Sequence, residues 1–288
     1  DRHLEYINGK IADYNQQLDQ ADGTGQRQEI EEKIVHQLSQ KQQYKAIEKE
    51  LKNSGQSQIS TIDPDARGVI LHRNVVNVGY NVQAGCDSKH KLFVNAQTGN
   101  VNDTNALADM ALEAKELLKV DRMNTLTDKG YTTGAEIARC SKNNITTYSS
   151  PKEHSSQKNG LYDMQDFKYS TQDDTYTCPA GAVLHTNGSI YPKRNHRVKH
   201  YKTKACKGCT LRQRCTKNKN GRFIERSIYQ EDVEQNAARV NHNPDYYRQR
   251  QQITEHQFGT LKRQWGFTHT LVCKKKHVLS EVYLCFTA

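Results

Sequence analysis

The chain is poor in apolar residues. Hydrophobic side chains make up 34% of its 288 residues and mean hydropathy is −0.94, so much of it must be surface, extended arm or helical hairpin. No apolar run approaches the roughly 20 residues of a membrane-spanning helix, and no start resembles a secretory signal. The chain lacks an initiating Met, and it ends straight after the apolar Val282–Phe286, so it reads as a fragment. Proline is missing from the first 55 residues. Acidic residues are missing from Thr175 to Ile224, where twelve Lys or Arg stand without one Asp or Glu.

What is present is mostly charge. Lys and Arg number 42 against 32 Asp and Glu, a net +10 at pH 7, and a positive field of that size favours a polyanionic partner. Eight cysteines in a long basic chain point to thiols or a metal site before disulfides. Leu4, Ile7, Ile11, Tyr14 and Leu18 recur at alternating spacings of three and four, break at Asp22-Gly23-Thr24-Gly25, and resume with Ile30, Ile34, Leu38, Ile47 and Leu51. That period predicts a helical hairpin over residues 1–58, a packing or dimerising arm.

From Thr61 the texture becomes α/β. Asn77–Asp87 and Lys91–Ala96 read as two strands, Asn105–Leu118 as an amphipathic helix, Asn124–Thr127 as a short strand, and Gly134–Asn143 as another helix. Strand pair, helix, strand, helix is the opening of an RNase H-like layered sheet. The expected organisation is a first core part over 59–148, a Cys-rich basic insertion over 149–225, and a second core part over 226–288. The last part holds helices over Asp232–Ala238 and Pro244–Gln264.

Three carboxylates stand out. Asp87 and Asp128 end predicted strands, where open α/β folds place ligand-binding groups, and Glu255 lies on the later helix. Phosphodiester transfer uses two divalent cations about 4 Å apart, and Mg²⁺ takes hard carboxylate oxygens. Taken singly, each of the three also fits an ordinary turn or a solvated helix face.

Gly79-Tyr80-Asn81-Val82-Gln83-Ala84 with Asp87, and Thr127-Asp128-Lys129-Gly130-Tyr131, resemble the first-Asp and second-Asp strands of bacterial insertion-sequence transposases of the DDE superfamily. Glu255-His256-Gln257-Phe258-Gly259-Thr260-Leu261-Lys262-Arg263 resembles the Glu helix, and Thr61-Ile62-Asp63-Pro64-Asp65-Ala66-Arg67 a segment before the first strand. One branch also carries elements like Cys178-Pro179-Ala180-Gly181 and Cys206-Lys207-Gly208-Cys209. The resemblance runs from Thr61 to the end, with its motifs in order.

The resemblance implies an α/β, RNase H-like transposase whose Asp87, Asp128 and Glu255 hold two Mg²⁺ (or Mn²⁺) ions. It also implies double-stranded DNA as partner, a homodimer or higher assembly on DNA, and a cytoplasmic, nucleoid-associated bacterial protein. A DNA-binding relative without activity, or a nuclease that hydrolyses without joining, are the rival readings. Related branches place an Arg four residues before the Glu. Here that position is Gln251, with Arg248, Arg250, Tyr246 and Tyr247 close enough to substitute. Lys262 follows Glu255 by two helical turns, which puts it on the same face, within reach of the DNA phosphate next to the metals.

Cys178, Cys206, Cys209 and Cys215 form C-x27-C-x2-C-x5-C, a donor set for a structural tetrahedral Zn²⁺. His185, His196 and His200 lie nearby as alternative ligands. Arg194, Arg197, Arg212 and Arg214, with Tyr191, Tyr201 and Phe223, mark the insertion as a surface for phosphates. Lys129, Arg248, Arg250, Lys262 and Arg263 are the expected DNA contacts beside the carboxylates.

Overall fold

The computed structural model describes residues 2–70, 75–99, 102–151, 160–193 and 196–287. Contacts divide the chain into two compact units, Asp1–Tyr80 with Val272–His277, and Asn81–Leu271 with Val278–Ala288. The fold is mixed α/β. Among the described residues no helix is long and apolar enough to cross a membrane.

In the first unit α1 (Arg2–Asp19) packs against α2 (Thr24–Ser54). Ile7 and Ile30 are buried at the seam, with Leu4, Ile11, Leu18 and Ile34 partly covered. The expected seam fails at Leu38, which is 44% exposed. Continuing the alternation of four and three from Ile30 through Ile34 turns Gln37 inward instead, and its Oε1 is buried without a partner.

Beyond α2, Asp63 is buried and ties together the Thr61–Arg67 motif. It accepts from the Asp65 N–H (3.2 Å), the Tyr80 hydroxyl (2.5 Å) and the Lys274 N–H (3.0 Å). Burial would raise its pKa, but these donors outweigh it and hold the carboxyl below its ordinary value. Strands β1 (Arg67–Ile70) and β2 (Val76–Gly79) form an antiparallel ladder.

The strand expected over Asn77–Asp87 is in fact two strands. Pairing stops at Gly79, and β3 (Val82–Cys86) begins a new ladder with β4 (Phe93–Thr98) in the second unit. Between them the Tyr80 hydroxyl is taken by Asp63 and the Asn81 amide by Asp103 (3.1 Å). Side-chain bonding on both sides of the break leaves no continuous strand.

A single 3₁₀ turn (Asp103–Asn105) leads into α3 (Leu107–Leu117), whose Leu107, Ala108, Ala111 and Ala114 are buried at helical spacing. Then follow β5 (Met123–Thr127), α4 (Gly134–Lys142) and β6 (Ile145–Ser149), with β6 parallel to β5. Leu107, Ala108, Ala111, Ile137, Cys140 and Ile145 make one apolar cluster. Burying a side chain such as Ile137 contributes about 1.5–3 kcal/mol. Among the described residues the ladders β3–β4 and β5–β6 each hold two strands.

The region read as a Cys-rich basic insertion holds a regular sheet. Strands β7 (Lys168–Ser170), β8 (Thr175–Thr177), β9 (Val183–Lys193), β10 (His196–Lys202) and β11 (Phe223–Ser227) pair antiparallel in the order 11-10-9-8-7, with the short helix α5 (Arg212–Cys215) before β11. One face buries Tyr176, Leu184, Tyr201 and Ile224 with Phe167. Asp174 accepts from Tyr169 (2.7 Å), Tyr201 (2.5 Å) and Lys199 (2.6 Å), so the tyrosine hydroxyls of this core are satisfied rather than orphaned.

Helix α6 (Gln230–His242) fastens this sheet to the earlier elements. Arg226 of β11, largely buried, makes a two-pronged pair with Glu234 (2.7 and 2.9 Å). Asn236, fully buried, bonds both the N–H (3.0 Å) and the carbonyl (2.6 Å) of Ser149, as a neighbouring strand would. The chain continues through α7 (Pro244–Arg250), a π-helical turn (Gln251–Glu255), α8 (His256–Gly259) and a second π turn (Thr260–Gln264). Helix α9 (Lys275–Thr287) follows, and its Tyr283 and Phe286 pack on Phe93 of β4.

Candidate functional site

Asp87 directly follows β3 and closes a turn. Its N–H bonds the Leu92 carbonyl (2.8 Å), and its carboxylate accepts from the N–H groups of His90 (2.6 Å) and Lys89 (3.2 Å). The His90 N–H is the main reason its pKa lies below the ordinary value. Next to it, burial and the Asp87 charge push the Cys86 thiol up to about 11.

Asp128 directly follows β5 and caps a single 3₁₀ turn, Lys129–Tyr131, accepting from the Lys129 N–H (2.5 Å). The Gly130 of this motif has a steric reason: a Cβ there would lie 2.9 Å from the Asp103 carboxylate. That carboxylate also holds Asn81 (3.1 Å) and Gln83 (2.9 Å), so it links the start of β3 to the turn after β5. Burial, with the charges of Asp103 and Asp128, raises the Tyr131 pKa. Sequence reasoning missed Asp103, which sits in a turn without any motif.

Glu255 ends the first π turn, its side chain 59% exposed, and pairs with Arg250 (Nη2 to Oε1, 3.3 Å). Its helix touches both strand ends. The Tyr247 hydroxyl donates to the carbonyl of Thr127, the residue before Asp128 (3.0 Å), and Gln257 Nε2 donates to the carbonyl of Lys91, in the turn after Asp87 (2.5 Å). Three carboxylates distant in sequence thus stand on elements joined by one helix.

They do not converge on a point as they stand. Among the described residues no three His, Cys, Asp or Glu side chains form a group that could hold a metal ion. Asp87 and Asp128 are turned back to cap their own turns, and Glu255 is turned to Arg250.

The cysteines gather elsewhere. Cys178, Cys206, Cys209 and Cys215 line one cavity with Phe167, Leu184 and Leu211. Burial pushes the Cys215 thiol up; Arg222 opposes this, and Cys206, Cys178 and Cys209 add to it. Gly221 (φ 93°) lies so close to Cys206 that a Cβ would reach within 2.6 Å of the cysteine Cβ, so only glycine allows this approach. The four cysteines line one cavity, but among the described residues they form no ligand group.

The expected DNA contacts take varied places. Lys129 and Arg263 are exposed. Lys262 Nζ lies 5.5 Å from the centre of the Phe258 ring, and Arg248 pairs with Asp245 on an exposed face. Arg197 is exposed at the start of β10. Arg212 bonds the carbonyls of Asn218 (3.3 Å) and Lys219 (2.7 Å), and Arg214 lies over the Tyr162 ring, so both also brace the cysteine loops. Arg194 lies outside the described residues. Tyr191 and Phe223 flank His200 on the sheet face opposite the core, whereas Tyr201 is buried in that core.

Comparison with known protein families finds a match. Residues 77–288 fit the family model described as Transposase DDE domain. No curated protein and no solved structure matches the chain significantly.

Proposed function

This chain belongs to the transposase DDE domain family, and from that premise we propose that it cuts DNA at transposon ends and joins the freed ends to target DNA. The family implies DNA as partner and a divalent cation such as Mg²⁺ as cofactor. The observation that carries the reading is the helix of Glu255 bonded at Thr127 and at Lys91, beside Asp128 and Asp87.

In this reading β3–β4, α3, β5, α4 and β6 are an RNase H-like core and residues 149–225 an insertion. Asp87, Asp128 and Glu255 would hold two Mg²⁺ or Mn²⁺ ions, and their donor chemistry fits, since all three offer hard oxygens. When bound, the ions activate the attacking oxygen and stabilise the leaving one. The chain's own part is to hold the ligands on anchored elements. Lys129, Arg248, Arg250, Lys262 and Arg263 would contact DNA near the reacting phosphate. Arg194, Arg197, Arg212 and Arg214 would contact it from the insertion, neutralising phosphates without reading bases.

The cysteine cavity is read as a structural Zn²⁺ site. What supports this is that all four cysteines line one cavity, a donor set of the kind a structural zinc takes. The hairpin over residues 1–58 is read as an arm that joins protomers, since two DNA ends must be held together.

The test is a labelled transposon-end duplex incubated with Mg²⁺ or Mn²⁺. Nicked and joined products are expected from the wild type, and Asp87→Asn, Asp128→Asn and Glu255→Gln should each lower nicking roughly a hundredfold or more. Nicking without joining would make the protein a nuclease. Wild-type nicking by any of the three variants would sink the site.

A further inference from the structure

In an α-helix each backbone N–H bonds the carbonyl four residues back, so side chains four apart lie one above the other. On that rule the residue on the face of Glu255 one turn before it would be Gln251, which is neutral. The helix does not follow the rule here. Gln251–Glu255 is wound as a π turn, with one residue more per hydrogen-bonded ring, and such turns are rare and concentrate at functional sites. The wider turn keeps Gln251 near the face of Glu255 and brings Arg250, five residues back, onto it as well.

We propose that Arg250 is the positioning residue for Glu255, brought within reach of it by the π winding. This rests on the reading of Glu255 as a metal ligand. Arg250 Nη2 lies 3.3 Å from Glu255 Oε1. The arginine side chain is only 18% exposed, against 59% for the glutamate, so a held cation steadies a freer carboxylate. Its backbone carbonyl accepts from the Thr254 hydroxyl (2.9 Å) within the same turn. Its Nε is buried without a partner, so the guanidinium is not spent on other protein groups at that atom. Arg250 also lies 6.0 Å from the centre of the Tyr247 ring, while Arg248 pairs with Asp245 on an exposed face and Lys262 lies over the Phe258 ring.

The chemistry is that of an outer-shell partner. A guanidinium stays charged at every working pH and bonds a carboxylate in a fixed plane. Holding one oxygen of Glu255 fixes the side chain's rotamer and leaves the second oxygen for a hard cation. Rotamer freedom removed beforehand need not be lost when the ion binds.

Three proteins are compared: wild type, Arg250→Gln and Arg250→Lys. Once circular dichroism has established folding, Mn²⁺ binding is measured without DNA by electron paramagnetic resonance, and the Mn²⁺ concentration giving half-maximal nicking is measured apart from the maximal rate. Arg250→Gln should weaken Mn²⁺ binding and raise the half-saturating Mn²⁺ roughly 10- to 100-fold, with Arg250→Lys recovering part of the loss. Unchanged or tighter Mn²⁺ binding by Arg250→Gln would overturn the inference, as would a lowered maximal rate with unchanged half-saturating Mn²⁺. If the wild type neither binds Mn²⁺ nor nicks, the reading of the carboxylate site fails first and takes this inference with it.

Discussion

The Tyr247 hydroxyl donates to the Thr127 carbonyl at 3.0 Å, and so fixes the helix of Glu255 against the last residue of the strand that Asp128 follows. Tyr247→Phe removes only the oxygen. Chemical denaturation should show a loss of about 0.5–1.5 kcal/mol, the net value of one such bond. If the helix position matters for the site, nicking should fall by more than this stability change explains.

Asn236 is a second single-residue joint. It satisfies the N–H and carbonyl of Ser149 and accepts from Thr147 Oγ1 (3.1 Å). Asn236→Ala should cost roughly 2–4 kcal/mol, because each buried group left unpaired carries about 1–3 kcal/mol. Thermal unfolding followed by circular dichroism checks this; a loss below about 1 kcal/mol would mean that water replaces the amide.

These two joints mark what could not be read from sequence. The apolar face of α3 and the positions of Asp87 and Asp128 just after strands follow from local patterning, which short-range periodicity carries. The two π turns do not, since no residue type announces them. The five-stranded sheet was hidden because its inward face uses tyrosines and its other face histidine and lysine, so the contrast between faces is weak. The break at Tyr80–Asn81 depends on Asp63 and Asp103, partners 17 and 22 residues away. The inward turn of Gln37 in place of Leu38 shows that a seam follows its period even at the cost of a polar residue.

Asp174 makes the sheet sensitive to acid. Burial would raise its pKa, but donation by Lys199, Tyr201 and Tyr169 outweighs it and brings the value down to about 2. A depressed carboxylate pKa stabilises the fold above the unfolded value, near 3.9, and that stability is lost as pH falls towards 2. Asp174→Asn keeps a residue tolerant of the positive φ of 51° found here. It should be less stable than wild type at pH 7, with the gap closing between about pH 4 and pH 2. A gap independent of pH would rule out the charge as its source.

The cysteine cavity yields a metal prediction. Purified protein should carry about one zinc per chain, as a closed four-sulfur site would. Cys206→Ser should lower zinc content and thermal stability together, and a chelator should reproduce the loss of stability in the wild type alone. Zinc-free protein whose four thiols are all alkylated rapidly in the native state would dismiss the site.

The two joints of α6 have an architectural consequence. Asn236 holds the chain where it leaves β6, and Glu234 holds it where it returns from β11, two residues apart on one helix. The excursion between Ser149 and Arg226 therefore begins and ends at neighbouring points of a single rod. Closing a long loop costs entropy that grows only with the logarithm of its length, so the excursion is nearly neutral to the rest whatever its size. If residues 149–225 are an insertion as proposed, a change in their length should leave the helix that carries Glu255 undisturbed.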